Sequence, residues 1–188
     1  MESLTFLSRR LSVPSGQLTA PGPTRDQLQR MLAAAMRVPD HGRLTPWRVL
    51  AIEGDARHAL GEFLAARAVE LNPAAAQATL DKDRLRFSRA PLVLAVVAHL
   101  KQPSRIPEVE QLLSAGCVCF ALLQAAQALG FGAQWLTGWA AYDPAVAARL
   151  GLAENERIAG FIHVGSIREA ALERPRPAVE AHFSVWQG

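Results

Sequence analysis

Pro91 is followed by an apolar run, Leu92-Val-Leu-Ala-Val-Val-Ala-His99, with no polar residue before its last position. A half-exposed strand alternates polar and apolar side chains. This run does not, so it reads as a central strand buried on both faces. After a loop carrying Pro103 and Pro107 comes a second long segment, about Glu108 to Leu129, apolar almost all the way round a helix. A helix of that kind belongs inside a fold, and this one reads as the spine of the core. The 188 residues suffice for one domain built around such a core.

The flanking sequence supplies the covering elements. Residues 2–8 read as a short opening helix and 14–23 as an irregular connection. Thr24-Arg-Asp-Gln27 has the capping-box pattern, and Leu28, Met31, Leu32, Ala35 and Met36 follow at helical spacing until Pro39. Trp47 to Ile52 reads as a strand closed by Glu53-Gly54, with Asp55 capping a helix that carries Leu60, Phe63, Leu64, Ala68 and Leu71. Pro73 breaks that helix, and a more polar one is expected to about Arg86. Gln134 to Thr137 and Ile158 to Val164 read as strands. Between them, Asp143-Pro144 opens a helix to Leu150 with an N-cap and a proline at the first helical position. From Ser166 the tail is punctuated by prolines and ends on His182-Phe-Ser-Val-Trp186. Phe183 and Trp186 on an extended arm would be buried by docking against a partner subunit. No linker divides the chain, so residues 1–188 are read as one domain.

Charge and motifs remove several functional classes. A net charge of +3 with scattered basic residues gives no nucleic-acid footprint. The first ten residues lack the basic and apolar regions of a signal peptide. Ala115 to Gly130 is interrupted by Gln124 and Gln127, so it reads as falling short of a membrane span. A soluble, cytoplasmic protein is expected. Cys117 and Cys119 point to different sides of a helix and read as buried free thiols. The histidines at 41, 58, 99, 163 and 182 never pair at helical ligand spacing, so no metal site is expected. Gly130-Phe-Gly132 begins like a dinucleotide fingerprint, but Trp135 takes the third glycine's place and the order runs from helix to strand. The side chains offer no self-contained catalytic machine, and an enzyme built on this chain would rely on a bound organic cofactor.

Two stretches fit that need: Met36-Arg-Val-Pro-Asp-His-Gly-Arg-Leu-Thr-Pro-Trp47 and Gly130-Phe-Gly-Ala-Gln-Trp-Leu-Thr-Gly138. Each closes a helical pattern and sets polar or small groups beside a tryptophan. With Arg9-Arg10, three parts of the chain could converge on a planar, anionic cofactor.

The ordered set Arg9-Arg10, Arg37-x-Pro-Asp-His41 with Pro46-Trp47, Ser114-Ala-Gly116 and Gly130-x-Gly-x-x-Trp135 resembles the nitroreductase family, and within it the small YdjA-type NAD(P)H nitroreductases. Leu150-Gly-Leu and the strand ending in Val164-Gly165 extend the resemblance over essentially the whole chain. It implies an α+β fold with a mostly antiparallel central sheet flanked by helices, a long buried core helix, and a C-terminal arm exchanged in a homodimer with FMN sites at the interface. It also implies an FMN-dependent oxidoreductase. NAD(P)H would reduce the flavin, and a nitro compound, quinone or similar small acceptor would take the electrons in a ping-pong cycle. Two other readings stand beside it: a flavin-binding or dimeric interaction protein with little turnover, and a specialised member such as a reductive dehalogenase.

By the same resemblance, Arg9 and Arg10 meet the FMN phosphate or ribityl chain, where the guanidinium fork matches phosphate oxygens. Read on its own, the pair is a solvated helix cap. Leu11 stands where the family usually has serine, so a hydroxyl contact would be lost. Arg37 and His41 resemble residues that reach FMN from the second subunit; read locally, His41 is a turn residue and Arg37 caps its helix. Trp135, Leu136 and Thr137 resemble the strand along the isoalloxazine, the alternative for Trp135 being the core. Ala125, Ala126, Gln127, Ala128, Leu129 and Gly130 correspond to the stretch associated with nicotinamide binding. Arg174 and Arg176 resemble C-terminal basic residues that complete the phosphate site. Val109 stands where close relatives tend to carry tryptophan, which would open the substrate side of the pocket. No side chain is assigned as an acid or base.

Overall fold

The apolar run forms β3 (Leu92–His99), with its first seven residues buried. It lies between β2 (Trp47–Glu53) and β5 (Glu156–Ile167), and β5 also pairs with β4 (Gly132–Leu136) and the two-residue β1 (Leu18–Thr19). Every ladder is antiparallel, in the order β1-β5-β3-β2 with β4 also on β5. The helices are α1 (Glu2–Ser8), α2 (Arg25–Ala35), α3 (Asp55–Leu71), α4 (Gln77–Arg84), α5 (Glu108–Ala128) and α6 (Pro144–Arg149). This computed structural model describes residues 2–188. The expected α+β architecture is the one observed.

The sheet has a core on each face because β3 has no polar side. On one face, Leu94, Val96, Ile162 and Val164 pack with Val118, Leu122 and Ala126 of α5 and Met31 of α2. On the other, Val93, Ala95, Ile158 and Phe161 pack with Leu60 and Leu64 of α3, Phe87, Ala140 and Val146. Apart from Ile158 and Leu60, these residues are at most 4% exposed, which is what makes the fold a three-layer stack.

Local signals account for the helix starts, with one correction. Thr24 Oγ1 accepts from the Gln27 amide while Gln27 Oε1 accepts from the Thr24 amide, completing the capping box of α2. Asp143 Oδ1 accepts from the amides of Ala145 and Val146 and starts α6 ahead of Pro144. Asp55, however, is not the cap of α3: it is the first helical residue, and Gly54 holds the cap position at φ 57° with no side-chain bond. The turn out of β2 needs that left-handed backbone, which glycine adopts without penalty. Asp55 instead places its carboxylate in the first turn, where the helix dipole favours it.

A second correction concerns α5. Gln124 and Gln127 do not make it too polar for a span: by length and composition alone, its 21 residues are long and apolar enough to cross a membrane. What settles its role is packing, because Ala115, Val118, Cys119, Leu122 and Ala126 are buried in the core against the sheet and α2.

His163 lies on the α3 side of β5, 1% exposed, stacked at 6.1 Å and 5° on Phe87. Among the described residues, neither ring nitrogen finds a hydrogen-bond partner. Burial, followed by the positive charge of Arg86, holds the imidazole pKa down to about 4 from 6.5. The folded state therefore keeps His163 neutral while the unfolded chain takes up a proton below pH 6.5. This linkage leaves stability intact above pH 6.5 and removes about 3 kcal/mol between pH 6.5 and pH 4. Urea denaturation across that range should show the loss, and His163→Phe should flatten the acid limb.

Candidate functional site

The loop after α2 is held by one carboxylate. Asp40 Oδ1 accepts from the Leu44 amide at 3.0 Å and Oδ2 from the Thr45 amide at 2.9 Å. Inside this clamp Gly42, Arg43 and Thr45 have φ values of 66°, 55° and 47°. Two of the three are not glycine, so the loop stores backbone strain that its surroundings must overcome. Ser114 of α5 supplies much of the restraint. Its hydroxyl donates to the Pro39 carbonyl at 2.7 Å and accepts from the Trp47 indole at 3.1 Å, tying both ends of the loop to the core helix. His41 Nδ1 lies 2.7 Å from Glu110 Oε2, near the start of α5. Arg37 and Arg43 are exposed on the same loop.

Trp135 is placed by a fault in the sheet. Val96 pairs with Gly160 and Val97 with Ile158, so Ala159 is an extra residue in β5. Such a bulge leaves its residue outside the regular ladder. The Ala159 carbonyl accepts from Trp135 Nε1 at 3.2 Å. A Cβ on Gly160 would stand 1.9 Å from that nitrogen, so the indole lies directly on the strand's backbone. Its far edge reaches toward Gly116 of α5. Trp135 is 38% exposed, which excludes the core reading. On the same stripe of α5 as Gly116, Val109, Leu113 and Phe120 are exposed, giving an apolar surface beside the tryptophan.

The N-terminal segment runs along the start of β4. The Val13 amide donates to the Ala133 carbonyl at 3.0 Å and the Ser15 amide to Gln134 Oε1 at 2.6 Å. Just before this contact, Arg10 Nη1 donates to Ser12 Oγ at 3.3 Å. Arg176 comes back from the tail to donate to the Arg10 carbonyl at 3.5 Å. It also donates through Nε and Nη2 to Glu173 Oε1, at 2.9 and 2.7 Å, and the Arg174 amide donates to the same oxygen. The Glu173 carboxyl is held below its usual range by Arg176 first, then by the Arg174 amide, with Arg10 adding its charge. A carboxylate oxygen thus already occupies a set of donors that suits a phosphate.

Next to this group is a cavity of about 230 Å³ whose wall includes Arg9, Leu11, Leu123, Gln127 and Phe131. The structure therefore brings Arg9, Arg10 and Leu11 together with β4 and with Gln127. It separates Ala125 and Ala126 from them, since both are buried in the core. Arg174 contributes through its backbone amide. Arg37 and His41 do not join the group either. They lie by the other end of α5, and Glu110 and Gln127 are about 25 Å apart at a rise of roughly 1.5 Å per residue. Sequence reasoning assigns no role of their own to Ser12, Asp40 or Glu173. Asp40 ahead of His-Gly carried a turn signal, whereas Ser12 and Glu173 carried none.

A two-faced antiparallel sheet with helices on both sides, arginines beside the start of β4 and an exposed tryptophan on that strand define an α+β protein. Residues 17–166 match the model of the nitroreductase family. The chain is 37% identical over 166 residues to YdjA of Escherichia coli (strain K12), to which an NAD(P)H nitroreductase activity is attributed, covering 88% of each chain. A Haemophilus influenzae protein with the same attribution is 37% identical over 172 residues, covering 91% of each. The chain belongs to the nitroreductase family, a family of oxidoreductases. Solved structures agree on the fold. A nitroreductase-like protein of Bacillus cereus superposes with a TM-score of 0.82 at 21% identity, over 98% of this chain and 96% of that one. A nitroreductase of Bacteroides fragilis with bound FMN gives 0.75 at 20% identity, over the full length of both.

The loop analysis generates a direct expectation. Ser114→Ala leaves the Pro39 carbonyl and the Trp47 indole without their partner and should cost about 1–3 kcal/mol, read by chemical denaturation. Hydrogen exchange should rise at residues 40–45 and stay unchanged in β3.

Proposed function

We propose that this protein is an FMN-dependent oxidoreductase that passes electrons from NAD(P)H to nitro compounds, quinones or similar small acceptors, working as a homodimer. The observation that carries this reading is the approach of Arg176 to the Arg10 carbonyl beside the N-terminal segment that runs along β4, with Arg176 already holding the Glu173 carboxylate. The donors gathered there fit a flavin phosphate. Leu11 offers no hydroxyl, but that of Ser12, one residue on, lies against Arg10, which supports the fit.

When bound, FMN supplies a reversible hydride-accepting ring, and this is the chemistry the side chains lack. The chain's own part is to hold and surround it. Arg10 and Arg176 hold the phosphate. Trp135, fixed by the Ala159 carbonyl and seated on Gly160, gives flat apolar cover. Among the described residues β4 ladders with β5 alone, the Val13 amide bonding it only at Ala133, so the backbone at Leu136 and Thr137 would be open to a ligand on the other edge. Arg37 and His41 would come from the second subunit, since within one chain they lie far from Arg10. The positive charge of Arg37 at the ring's edge would favour the reduced, more negative state. The exposed stripe Val109, Leu113 and Phe120, with Phe183 and Trp186 of the tail, supplies apolar surface for the two subunits to bury. A cytoplasmic setting suits the chain, whose Cys117 and Cys119 are free thiols.

The purified protein, incubated with FMN and freed of excess, should keep a flavin absorption spectrum that anaerobic NADH or NADPH bleaches. A folded dimer that retains no flavin would sink the reading. Arg10→Ala should weaken FMN about tenfold or more while leaving riboflavin affinity unchanged, by fluorescence titration. Val109→Trp should narrow the range of acceptors; equal rates for large and small acceptors would count against a role for that position.

A further inference from the structure

Asp83, in the last turn of α4, is 2% exposed. A carboxylate that deep is costly unless it is fully paired. Here Arg86 donates through Nε at 3.2 Å and Nη2 at 2.6 Å to Oδ1, and the Trp139 indole donates to both oxygens at 3.2 Å. Arg86 also packs against Gly138, where a Cβ would stand 2.7 Å from Nη1 and the backbone has φ 66°. One buried ion pair therefore grips two successive residues, Gly138 through its bare Cα and Trp139 through its indole.

Those residues are the exit from β4. Thr137 precedes them directly, and Leu136 and Thr137 are the backbone assigned to the flavin. The other end of the turn is fixed in the same manner: Asp143 caps α6 while Arg67 of α3 donates to it at 3.1 Å. The body that carries Asp83 is rigid, because α3 and α4 are in close contact at Gly61, where a Cβ would stand 2.0 Å from the Arg84 carbonyl. A hydrophobic trio of similar volume would hold two helices together at least as well as a buried charge does. Directed bonds to one turn give something that apolar packing does not, a single backbone geometry at that turn.

We infer that Asp83 is a positioning residue for the flavin ring: through Trp139 and Arg86 it sets the Gly138 turn, and with it the Leu136–Thr137 backbone. This rests on the flavin reading above. The test uses the full-length protein with Asp83→Asn and with Trp139→Phe, the latter keeping the ring and losing only the indole N–H should the former fail to fold. Both should weaken FMN and riboflavin by the same factor, about tenfold for loss of a bond to a charged group. The flavin-saturated variants should also show a shifted midpoint potential and altered visible circular dichroism. This contrasts with Arg10→Ala, which should separate FMN from riboflavin. Saturated variants with the parent's potential and dichroism, and only a lower melting temperature, would overturn the inference and leave Asp83 as a brace of the fold. Parent protein that takes up no flavin would overturn the flavin reading itself, which the parent control reveals separately.

Discussion

Packing α5 onto the sheet takes Val118, Leu122 and Ala126 out of water together with Leu94, Val96, Ile162 and Val164. Each fully buried valine or leucine contributes about 1.5–3 kcal/mol, so this contact supplies much of the energy that the rest of the molecule draws on. The helix also distributes the site along its length. Ser114 holds the strained loop of Asp40, Gly116 leaves room for the edge of Trp135, and Gln127 lines the cavity beside Arg9. Loop strain and an exposed tryptophan are both unfavourable alone. They persist because they are fastened to an element whose own burial is not in question.

The charged contacts divide by depth, and the division matches the tasks. Arg48 and Glu156 join the starts of β2 and β5 at 2.6 Å, with Glu156 6% exposed, and Arg48 holds the Glu156 carboxyl down to about 2. Asp83 is deeper still. Such pairs are costly to break, because removing one member strands the other. Glu173 and Arg176 lie at the opposite limit, more than half exposed, where an ion pair is worth little. A carboxylate held so weakly would yield to a phosphate, as the proposed ligand site requires.

Much of the architecture could be read from residue order. The unbroken apolar run of β3, the capping box at Thr24 and the Asp143-Pro144 start each have a short-range cause, and each appears where that cause predicts. The misses have long-range causes. Glu53-Gly54 announces a turn, but not that its path out of β2 passes the cap position from Asp55 to Gly54. Likewise, no local pattern in Arg157-Ile-Ala-Gly-Phe161 marks Ala159 as the residue that drops out of register. That bulge decides the fate of Trp135: a regular ladder would occupy the carbonyl that anchors the indole. The family resemblance sets Arg9 and Arg10 with Arg174 and Arg176, and Arg176 does reach the Arg10 carbonyl; the contact of Ser12 with Arg10 has no local signal, because it depends on how the segment lies along β4.

Distance supplies the remaining argument for a second subunit. Arg37 and His41 lie by one end of α5, and Arg9, Leu11 and Gln127 by the other, about 25 Å away along a straight helix. No rotamer or loop shift closes such a gap within a chain whose core is already packed. A two-fold axis near Gly116 would close it. Each copy would then lay its exposed stripe of Val109, Leu113 and Phe120 against the other's, with the helices antiparallel. The Glu110 end of one α5 would face the Gln127 end of its partner, and the clamped loop of one subunit would meet the anion site of the other. The strain held by Asp40 fits the proposed arrangement, because a loop presenting Arg37 and His41 to another molecule would gain from being rigid before the two meet.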